Sequence, residues 1–581
     1  MNIARFANHP LSMLLFLWLS FFSSHCLAQV PTSIRDWIDR SQADLNTLDH
    51  RYRVPGDESA RERRHTLLQQ WLLDLQNVPY ATLNLDEQVD YHLLRNDLQR
   101  KLSQLQRDRQ ADAAAMTFLP YGSAVIELGM MRENVEGYVP SALAGQMERL
   151  AEQIDQVKRE HVKLERSQID GQKLDRIAAL RAADLIDQWR RTLAELDRFY
   201  TGYDPLYTWW CEAPMKKLQT SIADHGRVIR RQIVGVPEED KDTIIGFPIG
   251  DTALREELKY EWIAHTPEEL IRIAEREFAW CDQQGEIAAR ELGFDGDWKR
   301  ALEHVKGLHV EPGKQPEMIR DLAWEAIRFL ETHDLVTVPN LAQTGWRMDM
   351  MSPERQRVSP YFLGGPSIIV SFPTNTMSHE EKLMSLRSNN IHFSRATVQH
   401  ELIPGHHLQH YMTARYRPYR DTFSTPFWVE GWALYWEMLL WDLGFPKTPE
   451  DRIGMLFWRK HRCARIVFSL GYHLGKMTPE ECVDFLVERV GHERSAAAAE
   501  VRRSIMGSYG PLYQAAYMLG GLQIRAMHKE FVQSGQMTNR QFHDRILQEN
   551  SLPIELLRLR LKTEAIPQQV SPVWRFADPL P

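Results

Sequence analysis

The stretch that decides how this chain is read is "VQHELIPGHHLQHY", residues 398–411. It begins as the zinc-hydrolase pattern His-Glu-x-x-His, in which two imidazoles one helical turn apart hold the metal and the glutamate serves as base. Here Pro404 occupies the i+4 position, and the next histidines are His406 at i+6 and His407 at i+7. On a regular helix His407 would lie about 10.5 Å beyond His400, because each residue rises about 1.5 Å. His406 would point to another side. Neither would share a metal with His400 without a distortion. Pro404-Gly405 can supply one: proline removes a backbone donor and clashes with the preceding turn, and glycine accepts unusual dihedrals. The expectation is a local bulge, a device frequent at functional sites. Using His406 absorbs two extra residues and using His407 absorbs three, so His406 is the expected second ligand and His407 the competitor.

A catalytic zinc takes three protein ligands and a water, so a third donor is sought downstream. "FWVEGWALYWEMLLW" (427–441) places Glu430 24 residues after His406, in a strongly helical aromatic segment. Glu437, two turns further along the same face, is the competing carboxylate. A glutamate among Trp428, Trp432 and Trp436 is costly to bury unless it binds something. The partner is either a metal or an arginine such as Arg459 or Arg462. A helix of surface histidines would be the plain alternative for 400–410, but four histidines in eleven residues with a glutamate beside the first argue against it.

The rest of the chain sets the frame. Its 581 residues are 43% hydrophobic and 25% charged, ordinary for a globular protein, and the mild net charge of -8 gives no hint of the basic face a nucleic-acid binder wants. Arg5, the apolar run 11–22 and "CLA" ending at Ala28 read as a cleaved signal peptide, residues 1–28. The apolar run is too short for a comfortable membrane span, although an uncleaved anchor is the alternative. Lipidation at Cys26 is disfavoured by His25, which sits where a small residue is wanted. The mature chain is therefore expected outside the cytoplasm, in the periplasm, with no later membrane span. Cys211, Cys281, Cys463 and Cys482 form no disulfide framework and contain no Cys-x-x-Cys pair; one or two bridges fit an oxidising compartment.

Most of the chain reads as helix. Leu94, Leu98, Leu102 and Leu105 form one stripe, and Met147, Leu150, Ile154, Val157 and Leu164 a second. "MTFLPYGSAVIELGM" (116–130) breaks the pattern between them. Thr-Pro-Glu-Glu at 266–269 and 478–481 marks two helix starts with capping boxes. Ser367–Phe372, bounded by Gly364-Gly365-Pro366 and Pro373, reads as a strand, either with a free edge that offers strand addition to an extended peptide or as part of a buried structural hairpin. No linker or tandem repeat divides 29–581, which reads as a single unit.

These motifs resemble the bacterial family of the "domain of unknown function 885". Its His-Glu-x-x-Pro-Gly-His-His-x-Gln is similar to His400–Gln409 here, and its Glu-Gly-Trp-Ala-x-Tyr to Glu430–Tyr435. Gly471-Tyr472-His473 resembles a third element. Near the C-terminus the family's Pro-x-Gln-Ala-x-x-Tyr-x-x-Gly is met by Pro511, Tyr517 and Gly520, but Tyr513 stands where Gln is expected and Gln514 has moved one place. The family resembles, distantly, the helical zinc peptidases of the angiotensin-converting enzyme and thimet oligopeptidase type. That likeness implies a mainly α, two-lobed fold with a deep groove and one small β-sheet before the metal-site helix. It implies Zn2+ on His400, His406 and Glu430, Glu401 as general base, and Tyr517, helped by His473, as donor to the oxyanion. The expected activity is hydrolysis of short peptides. Two other readings stay open: a non-catalytic peptide-binding protein, and a zinc hydrolase of a non-peptide amide or ester. The general base at Glu401 argues for catalysis, since a binding-only descendant need not keep it.

Overall fold

Both Thr-Pro-Glu-Glu stretches start helices as their chemistry predicts. Thr266 and Thr478 each accept the N–H of the glutamate three residues on, and that glutamate reaches back to the threonine N–H at 2.8 Å. The same reciprocal cap, built from Asn84 and Glu87, opens the 32-residue helix Leu85–Met116, which at 1.5 Å per residue runs about 48 Å. Val89 and Leu93 of this helix join the core around the site, Leu94 and Leu98 pack with the first helices, and Ala115 enters a third core. The computed structural model describes residues 33–577 apart from 165–174, 241, 357–360 and 508. The predicted leader, 1–28, lies outside the described residues.

The protein is mainly α with one small sheet. The helix Gly122–Glu133 corrects the expectation of a break over 116–130: only Thr117–Tyr121, around Pro120, is non-helical. Val125, Leu128 and Met131 give the new helix its buried side. That helix joins Pro140–Val162, Arg176–Tyr200 and Pro205–Val228 around the apolar core that includes Met147, Ile186 and Trp189.

The remaining helices surround the histidine motif. Those used below are α1 (Pro267–Glu291), α2 (Ile391–Glu401), α3 (His406–Thr413), α4 (Pro426–Asp442), α5 (Pro449–His473), α6 (Arg494–Met506) and α7 (Tyr513–His528). Helices α4 and α5 are buried on nearly every side; this is expected of α4, which is apolar around most of its circumference, whereas α5 carries Arg459, Lys460, Arg462 and Arg465 into the interior. The expected strand is present at Ser367–Val370 (β2). It pairs in parallel with Arg347–Met350 (β1), Ser367 opposite Arg347. Its other edge is not free, because Gly365, at φ 137°, turns the chain so that Leu363 and Ile369 exchange both backbone hydrogen bonds, at 3.0 and 2.7 Å. Strand addition at Ile369 is therefore blocked by the chain itself. Among the described residues all four cysteines are buried and free, and no helix is long and apolar enough to cross a membrane.

Candidate metal centre

The Pro-Gly insertion is absorbed by breaking the helix, not by bulging it. Asn390 caps α2 through the N–H groups of His392 and Phe393. The helix ends at Glu401, where Leu402 leaves helical geometry (φ −107°, ψ −104°). The chain folds back so that Gly405 N–H donates to Gln399 O at 3.0 Å and His407 N–H to Leu402 O at 3.0 Å. A Cβ at residue 405 would lie 1.8 Å from His400 O, so only glycine fits the close approach. Trp432 Nε1 donates to Pro404 O at 2.8 Å and fixes the turn from the side of α4. The new helix, α3, starts at His406 with its ring beside that of His400: centroids 4.9 Å apart, planes at 84°. His407 points elsewhere. Its two nitrogens lie 3.2 Å from Pro366 O and 3.1 Å from Ala342 O, which tie α3 to the segment before β2 and to the short helix Asn340–Gly345.

Glu430 meets these imidazoles because two helices cross without side chains between them. A Cβ on Gly431 would sit 2.6 Å from Gly520 Cα, and one on Gly520 would sit 2.1 Å from Phe427 O. The glycines of the two sequence motifs thus form one contact, where α4 and α7 touch backbone to backbone. Glu430 Oε2 is 3.2 Å from His406 Nε2 and 3.7 Å from His400 Nε2. Its other oxygen accepts the hydroxyl of Tyr513. Neither arginine considered as an alternative takes Glu430: Arg459 pairs with Glu277 at 2.6 Å, and Arg462 approaches Glu437 at 3.9 Å.

The far nitrogens are also committed. His400 Nδ1 is 2.7 Å from Glu437 Oε1. His406 Nδ1 is 3.4 Å from Gln409 Oε1, and the Gln409 amide donates to the carbonyls of Trp428 and Val429 at 3.3 Å each. An imidazole that donates from Nδ1 keeps the Nε2 lone pair, and a carboxylate behind a ligating histidine is the common way to orient it. Glu437, the competing carboxylate, therefore sits behind His400, while Glu430 sits in front. Two imidazole Nε2 atoms and one carboxylate oxygen converging on one point are a donor set that suits zinc.

Glu401 faces the same two rings. Donor atoms of His400, Glu401 and His406 all lie within 4.8 Å of one another. The loop before β2 approaches it closely: a Cβ on Gly364 would meet Glu401 Oε2 at 2.1 Å. Electrostatics of the protein groups alone follow from this crowding. Burial disfavours a charged His400, but Glu430, Glu437 and Glu401 outweigh burial and raise its pKa to about 9. His406 is raised in the same way, chiefly by Glu430 against burial. Burial would raise Glu430, yet the two imidazoles hold it well below the usual carboxylate range. Glu401 is raised by burial, with the imidazoles opposing.

The cluster lines a cavity of about 380 Å³, whose walls also include Tyr513, Tyr517, Arg462, Arg465 and Arg503. Tyr517 lies nearly parallel to the His400 ring, 6.1 Å away at 12°, and burial pushes its hydroxyl up to about 12, so it keeps its proton near neutrality. Of the expected residues, the structure brings together His400, Glu401, His406, Glu430 and Tyr517. It does not bring His473 to them. His473 ends α5 and is absent from the cavity wall; it lies eight residues, about 12 Å along the axis, beyond Arg465. Burial lowers it to about 4. The orienting roles of Glu437, Gln409 and Tyr513 were not read from the sequence. The signals were the seven-residue spacing of Glu430 and Glu437 and the tyrosine at the displaced glutamine position.

Residues 41–561 match the family described as "Bacterial protein of unknown function (DUF885)", and the chain belongs to it. No curated protein matches the sequence. The fold is similar to that of a "putative lipoprotein of unknown function" from Shewanella oneidensis, with 17% identity, 91% of this chain and 100% of that chain covered, and a TM-score of 0.67. It is also similar to the "putative lipoprotein" from Colwellia psychrerythraea, with 14% identity, 91% and 99% covered, and a TM-score of 0.57.

Proposed function

We propose that this chain is a zinc-dependent hydrolase that cleaves short peptides in the cavity beside His400. The observation that carries the proposal is the convergence of His400 Nε2, His406 Nε2 and Glu430 Oε2, with Glu401 against the same two rings. In this reading the helices form two lobes around a deep groove, as in the helical zinc peptidases. Zinc held by His400, His406 and Glu430 would supply a Lewis acid and lower the pKa of the attacking water. The chain's own residues do the rest. Glu437 and Gln409 hold the two imidazoles with Nε2 forward. Tyr513 holds one oxygen of Glu430, so the other faces the histidines. Glu401, less acidic than an exposed glutamate, takes the proton of the attacking water and passes it to the leaving amine. Tyr517 donates its retained proton as a hydrogen bond to the oxyanion that develops on the scissile carbonyl. The leader-like N-terminus and the description of both structural neighbours as lipoproteins support a place in the cell envelope, with the mature chain in the periplasm.

The test is Glu401→Gln. The variant is expected to keep its zinc and lose turnover of a peptide library by about 10²-fold or more, the usual worth of a general base. Near-normal hydrolysis by the zinc-loaded variant would remove Glu401 from the mechanism.

A further inference from the structure

Helix α5 is buried yet carries four cationic side chains within seven residues: Arg459, Lys460, Arg462 and Arg465. Three have a carboxylate at close range. Arg459 meets Glu277 at 2.6 Å, Lys460 meets Asp282 at 2.6 Å, and Arg465 meets Glu500 at 2.7 Å. Arg462 has no such partner. Its carboxylate neighbour, Glu437 Oε1, is 3.9 Å away and is already taken by His400 Nδ1 at 2.7 Å. Arg462 is only 5% exposed, and its Nε has no hydrogen-bond partner. A buried guanidinium left this way is unfavourable unless something else pairs with it. Burial and the nearby Arg465 pull Arg462 below the usual arginine range, whereas Arg459 and Arg465 are held above it by their carboxylates.

The unmatched charge faces the cavity and has company there. Arg465 Nη1 and Arg503 Nε also lack partners, and Glu500 is the shared carboxylate of both, at 2.7 Å and 4.0 Å. Tyr517 neighbours both this group and the His400 ring. Arg462 and Arg465 lie 4.8 and 4.5 Å from its ring centre, and His400 stacks 6.1 Å from it. At those distances the guanidinium of Arg462 and the His400 imidazole are separated by no more than about three residues of extended chain, at about 3.5 Å each.

We propose that Arg462, with Arg465 and Arg503, forms a subsite for a carboxylate of the substrate, placed within three residues of the bond that is cut. The inference rests on the reading of this cavity as the substrate site. It narrows the substrate class to peptides that carry a negative charge close to the cleaved bond, either the C-terminal carboxylate or an aspartate or glutamate side chain. Arginine suits the task because its planar fork matches both oxygens of a carboxylate.

The experiment measures equilibrium binding to the full mature chain after zinc chelation, so it reads neither metal nor turnover. The probes are an N-acetylated tri-alanine with a free C-terminus, the same peptide amidated, and the amidated peptide with aspartate last. At least one carboxylate-bearing probe is expected to bind about 10–100-fold more tightly than the neutral amide, the range for a buried charge-assisted contact. A preference for the first probe assigns the C-terminal carboxylate, and for the third the side chain. In Arg462→Met the preference is expected to vanish while the melting temperature holds or rises, because an unpaired buried charge is removed. Arg503→Gln, at the partly exposed edge, is expected to weaken the preference and serves if Arg462→Met does not fold. Equal binding of all three probes, or of none, would overturn the subsite. So would a preference that survives both substitutions.

Discussion

Between residues 115 and 234 the helices bury one face each, and that face is almost wholly apolar. The buried polar side chains among the described residues there are Ser221 and His225. His225 is fully occupied, by Tyr121 at 2.6 Å and His161 at 2.9 Å. Around α2, α4 and α5 the burial is as deep but the contents differ. Gln399, His400, His406, Glu430, Glu437, Arg459, Lys460, His461, Arg462 and Arg465 are all buried. A core needs no such groups to be stable, and a buried charge is retained at a stability cost unless it is paired. The difference marks the second region as the candidate functional one: the first holds its shape with an apolar interior, and the second buries polar and charged groups that shape alone does not require.

Substitutions can break that contrast. The largest stability effect is expected in the apolar region. Trp189 is fully buried and donates to Pro55 O at 2.8 Å, so Trp189→Ala should lower unfolding free energy by about 3–5 kcal/mol. Denaturant melts would show this, and zinc affinity at low temperature should be unchanged. A parallel loss of zinc affinity would mean that the two regions are not separable. The smaller effect is expected behind the candidate metal centre. Glu437→Gln keeps an acceptor near His400 Nδ1 but removes its charge. Zinc affinity should fall by about 10–100-fold, as for other residues that orient a ligating histidine, and competition titration with a chelator measures it. An unchanged affinity would detach Glu437 from the site.

The same contrast governs what the sequence made legible. Capping boxes at Thr266 and Thr478, the apolar stripe from Met147 to Val157 and the strand from Ser367 follow from local rules and are present, although the helix ends before Leu164 and the strand at Val370, short of Phe372. The approach of His406 to His400 was legible as a requirement but not as a shape, because a broken helix and a bulge satisfy it equally. Which of them forms depends on Trp432 reaching Pro404 O and on Gly405 folding against His400 O, contacts across 28 and five residues. Glu430 and Glu437 occupy the same helix face, so spacing alone does not rank them. Their roles are set by α7, which brings Tyr513 to Glu430. His473 follows from motif resemblance alone; it ends α5, eight residues beyond Arg465, and does not line the cavity. Leu363 closing the edge of β2 was hidden for a similar reason: a Gly-Gly-Pro turn does not announce which residue it returns to the strand.

The measurement that bears most directly on the account is zinc stoichiometry in the purified protein, His406→Ala and His407→Ala, each titrated under the same conditions. The wild-type chain and His407→Ala should hold about one zinc per molecule, since His407 faces two backbone carbonyls, and His406→Ala should hold almost none, since two ligands do not make a zinc site. A wild-type protein that takes up no zinc, or zinc lost from His407→Ala and kept in His406→Ala, would contradict it.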